Sequence, residues 1–463
     1  MFVFLFIIQA LAVVLGSLAV LLSIPLFLRL HWPSPALWFI KLYASAFSSV
    51  LFVVGVGCIL VGLSTQSIFI SCLGGYATAA FFFHILLVTR PPHASGSLDN
   101  AFGPQWKNRI PASSKKYFLP RRMNFWLPKV PSPRMQQNIP FATIPNTNQQ
   151  LLCDIWQPAA SIPPSGMAFV YLHGAAWYML DKDLGTRPFF THLAAQGHVI
   201  MDVAYRLAPE SDMMGMVHDC KRAIAWMKEH AVTYGIHRDR IVVGGGSSGG
   251  HLALLAAYTK DDPSFMPIEL EGEDVSVCGV ISLYGPADLK EMYYHTNQHL
   301  TTRSIPGKPR KTVPTQMPEW IIKQMGKDYY RLHLDKDLVN AGSFAPLLGG
   351  HPDECPDMYA LYSPVSHVHA DCPPTLLIHG THDLMAPVQA TRELFSRLVK
   401  AQVPVVLHLI PQTDHAFDLQ LPSLSPSAHN AIYDVERFLA LQARTVHRTA
   451  KRVGTAEEYQ PIT

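Results

Sequence analysis

Charge is what this 463-residue chain has least of: 15% of its residues are Asp, Glu, Lys or Arg, against roughly a quarter in ordinary soluble domains. The shortage is local. Residues 1–89 contain no acid and only two bases, Arg29 and Lys41. Residues 90–134 carry nine bases against the single acid Asp99, and the remainder has seven more acids than bases. This distribution excludes a uniform globular protein, a disordered chain and a nucleic-acid binder built round a basic core. The seven cysteines form no C-x-x-C pair and no zinc spacing, which argues against a disulfide framework and points to a reducing compartment. Internal repeats and low-complexity tracts are also missing. Three parts remain: an apolar segment 1–89, a basic collar 90–140, and a mildly acidic domain 141–463 large enough to bury one core.

The apolar segment holds three runs, Phe2–Leu28, Ala36–Leu63 and Ser67–Val88. Each has the roughly 20 residues that a helix needs to cross a bilayer, so three transmembrane helices are expected. The first run lacks the basic n-region of a signal peptide and leads straight into further apolar sequence. Lys41 is expected to reach the interface along its stem, and His84, close to Arg90, to be interfacial. With Arg29 and Lys41 in the first loop, no charge in Gly62–Ser67 and nine bases in the collar, the positive-inside rule places the domain on the cytosolic side of an integral, multi-pass membrane protein. The collar interleaves its bases with Trp106, Tyr117, Phe118, Phe125 and Trp126 and with Pro104, Pro111, Pro120, Pro128, Pro131 and Pro133. Two readings stand for it: a proline-stiffened, solvated linker or a segment lying on anionic headgroups.

From Phe141 onward the pattern alternates. Apolar runs at Met167–Leu172, Val199–Val203, Ile241–Val243, Gly279–Tyr284, Thr375–His379 and Pro404–Ile410 read as buried strands. Helical stretches such as Met216–Ala231, His251–Tyr258, Pro387–Lys400 and Ala428–Leu441 separate them. The expected class is α/β, a mostly parallel sheet covered by helices on both faces. Residues 288–345 break the alternation with Tyr293, Tyr294, Trp320, Tyr329 and Tyr330 amid polar residues, an insertion and a candidate lid.

The segment Ile241-Val-Val-Gly-Gly-Gly-Ser-Ser-Gly-Gly-His-Leu252 runs from strand through glycines to helix. This is the G-x-S-x-G nucleophile elbow, in which residues two before and two after the serine must be tiny. Gly245–Gly249 frames Ser247, and Gly246–Gly250 frames Ser248. The first frame is preferred for its distance from the strand and for Gly250 three residues on, where the second would put His251. Phosphate cradling by the same glycines is disfavoured, because no P-loop Lys-Ser/Thr follows. After the strand ending at Leu172, His173-Gly-Ala-Ala176 occupies the place of an HGGG-type oxyanion turn. Gly174, Ala175 and the N–H of Ser248 are the expected donors, with His173 structural. The two alanines put the turn geometry in question.

A serine nucleophile needs a base, and the base an orienting acid. Asp383 ends the run Leu376–Asp383, and His415 follows the next strand, giving the chain order Ser247, Asp383, His415. Asp414 and Asp418 compete as the acid from His415's own loop. A neutral histidine base predicts activity rising near pH 6–7, roughly its free pKa. His379 with His382, and His367 with His369, lack a matching carboxylate–histidine constellation, so no metal is expected.

These motifs resemble those of the α/β-hydrolase superfamily, and within it the hormone-sensitive-lipase and feruloyl-esterase-like carboxylesterases. The matching runs are Tyr171–Trp177, Ala204–Glu210, Gly245–Leu252, Tyr362–Val368, Ile378–Asp383 and Asp414–Phe417, spanning about residues 150–440. The resemblance implies carboxylic-ester hydrolysis through an acyl-serine, with no metal or organic cofactor. The multi-span anchor is similar to that of prenylcysteine methylesterases and membrane-bound deacetylases of the same superfamily. The expected activity is therefore a membrane-anchored serine carboxylesterase acting on an apolar or lipid-like ester. The alternatives are an acyltransferase using the same triad, and a non-catalytic hydrolase-fold receptor or scaffold of the gibberellin-receptor type, which lacks the histidine present here as His415. No nucleic-acid partner is expected, and no motif sets an oligomeric state. The first 89 residues are expected to anchor rather than catalyse, so that a chain beginning near Phe141 keeps the triad.

Overall fold

Among the described residues eight strands hydrogen-bond into one sheet. The computed structural model describes residues 2–29, 35–174, 176–183, 185–301 and 347–443. Within these residues the strands are β1 (Arg134–Thr143), β2 (Gln150–Gln157), β3 (Ala168–Leu172), β4 (Val199–Val203), β5 (Ile241–Gly246), β6 (Gly279–Leu283), β7 (Thr375–Gly380) and β8 (Val405–Ile410). Their order is β1-β2-β4-β3-β5-β6-β7-β8. β2 runs antiparallel to both β1 and β4, and the other pairs are parallel. This is the α/β-hydrolase fold. Strands β3 to β8 coincide with the six expected apolar runs, β5 continuing to Gly246.

Alternate residues of each central strand enter opposite cores, as the two-residue period dictates. Val170, Ile241, Val243, Leu377 and Leu407 join one core, under the helices Met213–Glu229, Ser248–Tyr258 and Val388–Lys400. Phe169, Tyr171, Val242, Leu376, Ile378 and Val406 join the other, under Arg187–Ala194 and Pro426–Gln442.

The collar differs from expectation. β1 begins at Arg134, so the domain does not start at 141. Leu98, Trp106, Ile110 and Leu119 are buried in the second core, each such side chain contributing roughly 1.5–3 kcal/mol. Arg122 makes a two-pronged pair with Asp434 (2.6 and 2.9 Å) and donates to Asn430 (2.8 Å). The basic, proline-rich stretch is thus neither a free linker nor wholly available to headgroups: apolar side chains between its bases cover one face of the sheet.

Among its described residues the apolar segment forms four helices, α1 (Phe2–Phe27), α2 (Pro35–Ala46), α3 (Ser48–Ser64) and α4 (Ile68–Val88). α1 and α4 are long and apolar enough to cross a membrane; α2 and α3 meet at 74° and make a third span only if counted together. The expected second run is therefore a broken helix. α3 and α4 pack closely through small residues: a Cβ on Gly74 would stand 2.6 Å from the Ile59 nitrogen, and one on Gly62 2.5 Å from the Ser71 nitrogen. Such contacts are a common device of helix pairs in membranes.

Two polar residues of this segment, His84 and Lys41, turn inward. His84, expected at the interface, is fully buried and meets Ser45 Oγ at 2.9 Å. Lys41, expected to snorkel, is 2% exposed and faces the hydrolase domain. Asn430 on the helix Pro426–Gln442 donates to the carbonyls of Val88 (2.8 Å) and Arg90 (2.9 Å), fastening the end of α4 to the domain.

Candidate active site

β5 delivers its last glycine into a sharp turn at Ser247, whose φ of 53° and ψ of −125° are foreign to a side-chain-bearing residue. Such a conformation costs on the order of 1–3 kcal/mol and persists only where the surroundings enforce it. They do so by crowding. A Cβ on Gly245 would lie 2.2 Å from the Leu172 carbonyl oxygen, and one on Gly249 2.0 Å from the same atom. Residues two before and two after Ser247 are therefore held to glycine by the backbone of β3. The Ser247 N–H donates to Leu283 O (2.9 Å), fixing the turn to β6. Ser248 is buried, with its hydroxyl 3.4 Å from that of Tyr205.

The loops after β7 and β8 bring the other two expected residues to Ser247. His415 Nε2 stands 2.8 Å from Ser247 Oγ, and His415 Nδ1 stands 2.8 Å from Asp383 Oδ2. Asp383 Oδ1 accepts the backbone N–H groups of Met385 (2.8 Å) and Ala386 (2.7 Å). Burial pushes the Asp383 carboxyl up, but the charge of His415 and hydrogen bonds from His379 and His415 hold it well below the usual carboxylate range. Burial pulls His415 down, and the charge and hydrogen bond of Asp383, aided by Asp414 and Asp418, more than offset it, leaving its pKa raised. An ionised acid, a histidine with Nδ1–H directed at it, and a hydroxyl facing Nε2 make a proton path from Ser247 to the ring.

On the opposite side the loop after β3 leans on the elbow. A Cβ on Gly174 would meet Gly246 O at 2.8 Å and Ser247 Cβ at 3.1 Å. Trp177, at a positive φ of 65°, donates through Nε1 to His251 Nδ1 (3.2 Å), and His251 Nε2 donates to Tyr362 O (2.7 Å). His251 thereby pins this loop to the helix that starts at Ser248. Gly174 and Ser248 border Ser247; Ala175 lies outside the described residues. His173 stacks on Tyr205 with centroids 4.5 Å apart, and its carbonyl accepts the tyrosine hydroxyl.

Asp414 and Asp418 do not take the place of Asp383. Asp414 Oδ1 accepts three N–H groups, from His415 (2.8 Å), Leu384 (3.0 Å) and Trp38 Nε1 (3.1 Å), while Lys41 Nζ lies 3.4 Å from Oδ2. Asp418 accepts the hydroxyl of Tyr284, whose ring sits edge-on to His415.

Sequence reasoning missed two supporting residues. His379 Nε2 faces Asp383 Oδ2 (3.1 Å) and Ala386 O (3.2 Å), with Nδ1 on Thr391 Oγ1 (2.7 Å). Its place four residues before Asp383 was the available signal. Tyr284, one residue beyond β6, had none. The 288–345 insertion opens with a helix, Leu289–Thr301; its part from 302 onward lies outside the described residues, and so does any lid there.

Two family descriptions match this chain: BD-FAE over residues 153–323 and the prolyl oligopeptidase family over residues 328–444. The chain is 31% identical over 296 residues to the probable carboxylic ester hydrolase LipM of Mycobacterium tuberculosis, covering 64% of this chain and 59% of that protein. It is 28% identical over 300 residues to esterase LipC of the same organism, covering 64% and 63%. The chain thus spans about three-fifths of the length of these two curated relatives. Among solved structures it is similar to a truncated carbohydrate esterase from gut microbiota, at 20% identity, a TM-score of 0.47 and coverage of 68% of this chain and 100% of that one.

Proposed function

We propose that this protein is a membrane-anchored serine carboxylesterase that cleaves an apolar carboxylic ester through an acyl-serine. The observation that carries the reading is the unbroken series Ser247 Oγ, His415, Asp383, each link 2.8 Å, on a strained elbow. Relatives named as ester hydrolases support the reaction class.

His415 Nε2 takes the Ser247 proton as Oγ bonds to the ester carbonyl carbon. The carbonyl oxygen becomes an oxyanion held by the backbone N–H groups of Gly174 and Ser248, with Ala175 as the third expected donor. A donor of this kind is worth roughly 100- to 1000-fold in rate. As the C–O bond to the alcohol breaks, His415 returns its proton to the leaving oxygen. Water then attacks the acyl-serine, gives a proton to Nε2, and the carboxylic acid leaves as Ser247 regains its hydrogen. Asp383 stays ionised throughout and keeps the second ring proton on Nδ1.

The apolar helices α1 and α4 support an anchor, and an anchored enzyme meets apolar esters at the bilayer surface. Bases at Arg29, Lys41 and in the collar support a cytosolic domain. Fluorophosphonate labelling followed by mapping of the modified peptide tests the chemistry: label on Ser247 supports it, and absence of label from the folded protein refutes it. Protease protection in sealed, cytosol-side-out vesicles tests orientation. A protected hydrolase domain would place it on the other side.

A further inference from the structure

α2 has an unusual distribution of side chains. Trp38, Lys41, Leu42 and Ser45 recur at helical spacing and are buried, whereas Leu37, Ile40 and Tyr43 are exposed. The face turned to the protein carries the N–H and the charge, and the face turned outward is apolar. This is the reverse of a water-soluble surface helix and suits an element with lipid on one side and protein on the other.

The buried face meets both loops that carry triad residues. Trp38 and Leu42 pack on Leu384, with Phe39 and Met385 beside them. Trp38 Nε1 and Lys41 Nζ converge on Asp414, which also accepts the N–H of Leu384 and of His415. Leu384 directly follows Asp383, and His415 directly follows Asp414, so one carboxylate ties the acid loop to the base loop. Lys41 Nζ further donates to Leu28 O (3.0 Å) at the end of α1 and stands 3.3 Å from His382 Nδ1. A buried carboxylate that loses its cation or a donor is left uncompensated, and the loops it joins are freed to move.

We propose that α2 is a positioning element for the catalytic base: Trp38 and Lys41 hold Asp414, and Asp414 sets the backbone from which His415 reaches Ser247 and Asp383. The membrane segment and the triad are then one mechanical unit. The inference rests on Ser247, His415 and Asp383 being the working triad.

The test uses the full chain in detergent with a short p-nitrophenyl ester, which needs no membrane to reach the site. Lys41→Met removes the charge at similar length, and Trp38→Phe removes the N–H while keeping an aromatic ring. Rates are taken per folded molecule, with the folded fraction measured by circular dichroism. Misplacing a catalytic group by about 1 Å costs on the order of 100-fold, so kcat is expected to fall about 10- to 100-fold in each variant with KM nearly unchanged. The rate of fluorophosphonate labelling should fall in parallel. Wild-type kcat in both variants overturns the proposal, as does a rise in KM at constant kcat, which would make α2 a wall of the substrate site. If Lys41→Met does not fold, Trp38→Phe decides alone. Ser247→Ala, run alongside, separates the two ideas: hydrolysis surviving in that variant defeats the triad reading itself.

Discussion

Replacing Asp383 by Asn changes one atom of the site and nothing of its size. Oδ1 accepts two backbone N–H groups, from Met385 and Ala386, so the asparagine must place its carbonyl oxygen there. Its NH2 then faces His415 Nδ1, 2.8 Å away from the present oxygen. An amide donor at that point requires Nδ1 to accept, which moves the ring proton to Nε2. Nε2 can then no longer take the proton of Ser247. The expected loss is about 10⁴-fold in kcat, as for the same change in other triads, or roughly 5.5 kcal/mol of barrier. The fold should survive. The two backbone bonds remain, and the main casualty is the contact with His379 Nε2, which also faces Ala386 O; a hydrogen bond to a charged group is worth roughly 1.5–3 kcal/mol. Hydrolysis of a short p-nitrophenyl ester and thermal unfolding, both on the full chain, measure the two quantities. Retention of more than about a tenth of wild-type kcat would mean that Asp383 does not fix the tautomer of His415, and the tautomer argument fails.

Ser247→Ala should abolish fluorophosphonate labelling and Ser248→Ala should leave most of it; the opposite result would move the nucleophile one residue on. Activity should rise with pH through an apparent pKa above the roughly 6.5 of a free histidine, because Asp383 and its neighbours raise that of His415 and the base works only when neutral. A pH–rate profile whose lower limb lies below pH 6 would contradict this. Gly249→Ala should cost both labelling and folding, since the new methyl would stand 2.0 Å from a backbone oxygen of β3 that cannot give way. Asp434→Asn should destabilise the domain by about 3–5 kcal/mol in denaturant titration, the range for breaking a buried ion pair. Burial raises the Asp434 carboxyl, but the charges and hydrogen bonds of His408 and Arg122 bring it down to about 2. With its pKa depressed in the folded state, its contribution is present in full above the ordinary aspartate value of about 3.9 and is lost as pH falls through about 2.

The parts of the molecule legible in sequence are those whose constraints are local. An elbow demands glycines at fixed offsets, and a buried parallel strand demands a continuous apolar run; β3 to β8 and Ser247 follow from these. β1 escapes a reading by pattern because it is an edge strand, exposed along most of its length and interrupted by Pro140, and its Gln136, Gln137 and Asn138 look like linker. The collar is hard to read from sequence for a different reason. Its burial depends on partners such as Asp434 and Glu436, some 310 residues away, and such pairs leave no periodicity behind. His379 stood in plain view, yet with 22 histidines in the chain its role follows only from the distance to Asp383.

Lys41 and His84 show where reading an apolar segment by composition alone goes astray. A lone base in such a run points to the interface, because water is the usual partner of a charge. Here the partner is protein: Asp414 for Lys41, and Ser45 for His84. The same logic revises the expectation that a chain beginning near Phe141 would keep its site intact. Such a chain lacks the first seven residues of β1, the side chains of Leu98, Trp106, Ile110 and Leu119 that cover one face of the sheet, and both donors that α2 supplies to Asp414. Three residues at the triad would still be encoded, but the loop carrying His415 would have lost the cation and the indole N–H that hold it from outside. In this fold the apolar segment meets the loops of Asp383 and His415 with polar contacts to Asp414 as well as with the apolar side chains of Trp38 and Leu42, while Leu37, Ile40 and Tyr43 of α2 face outward.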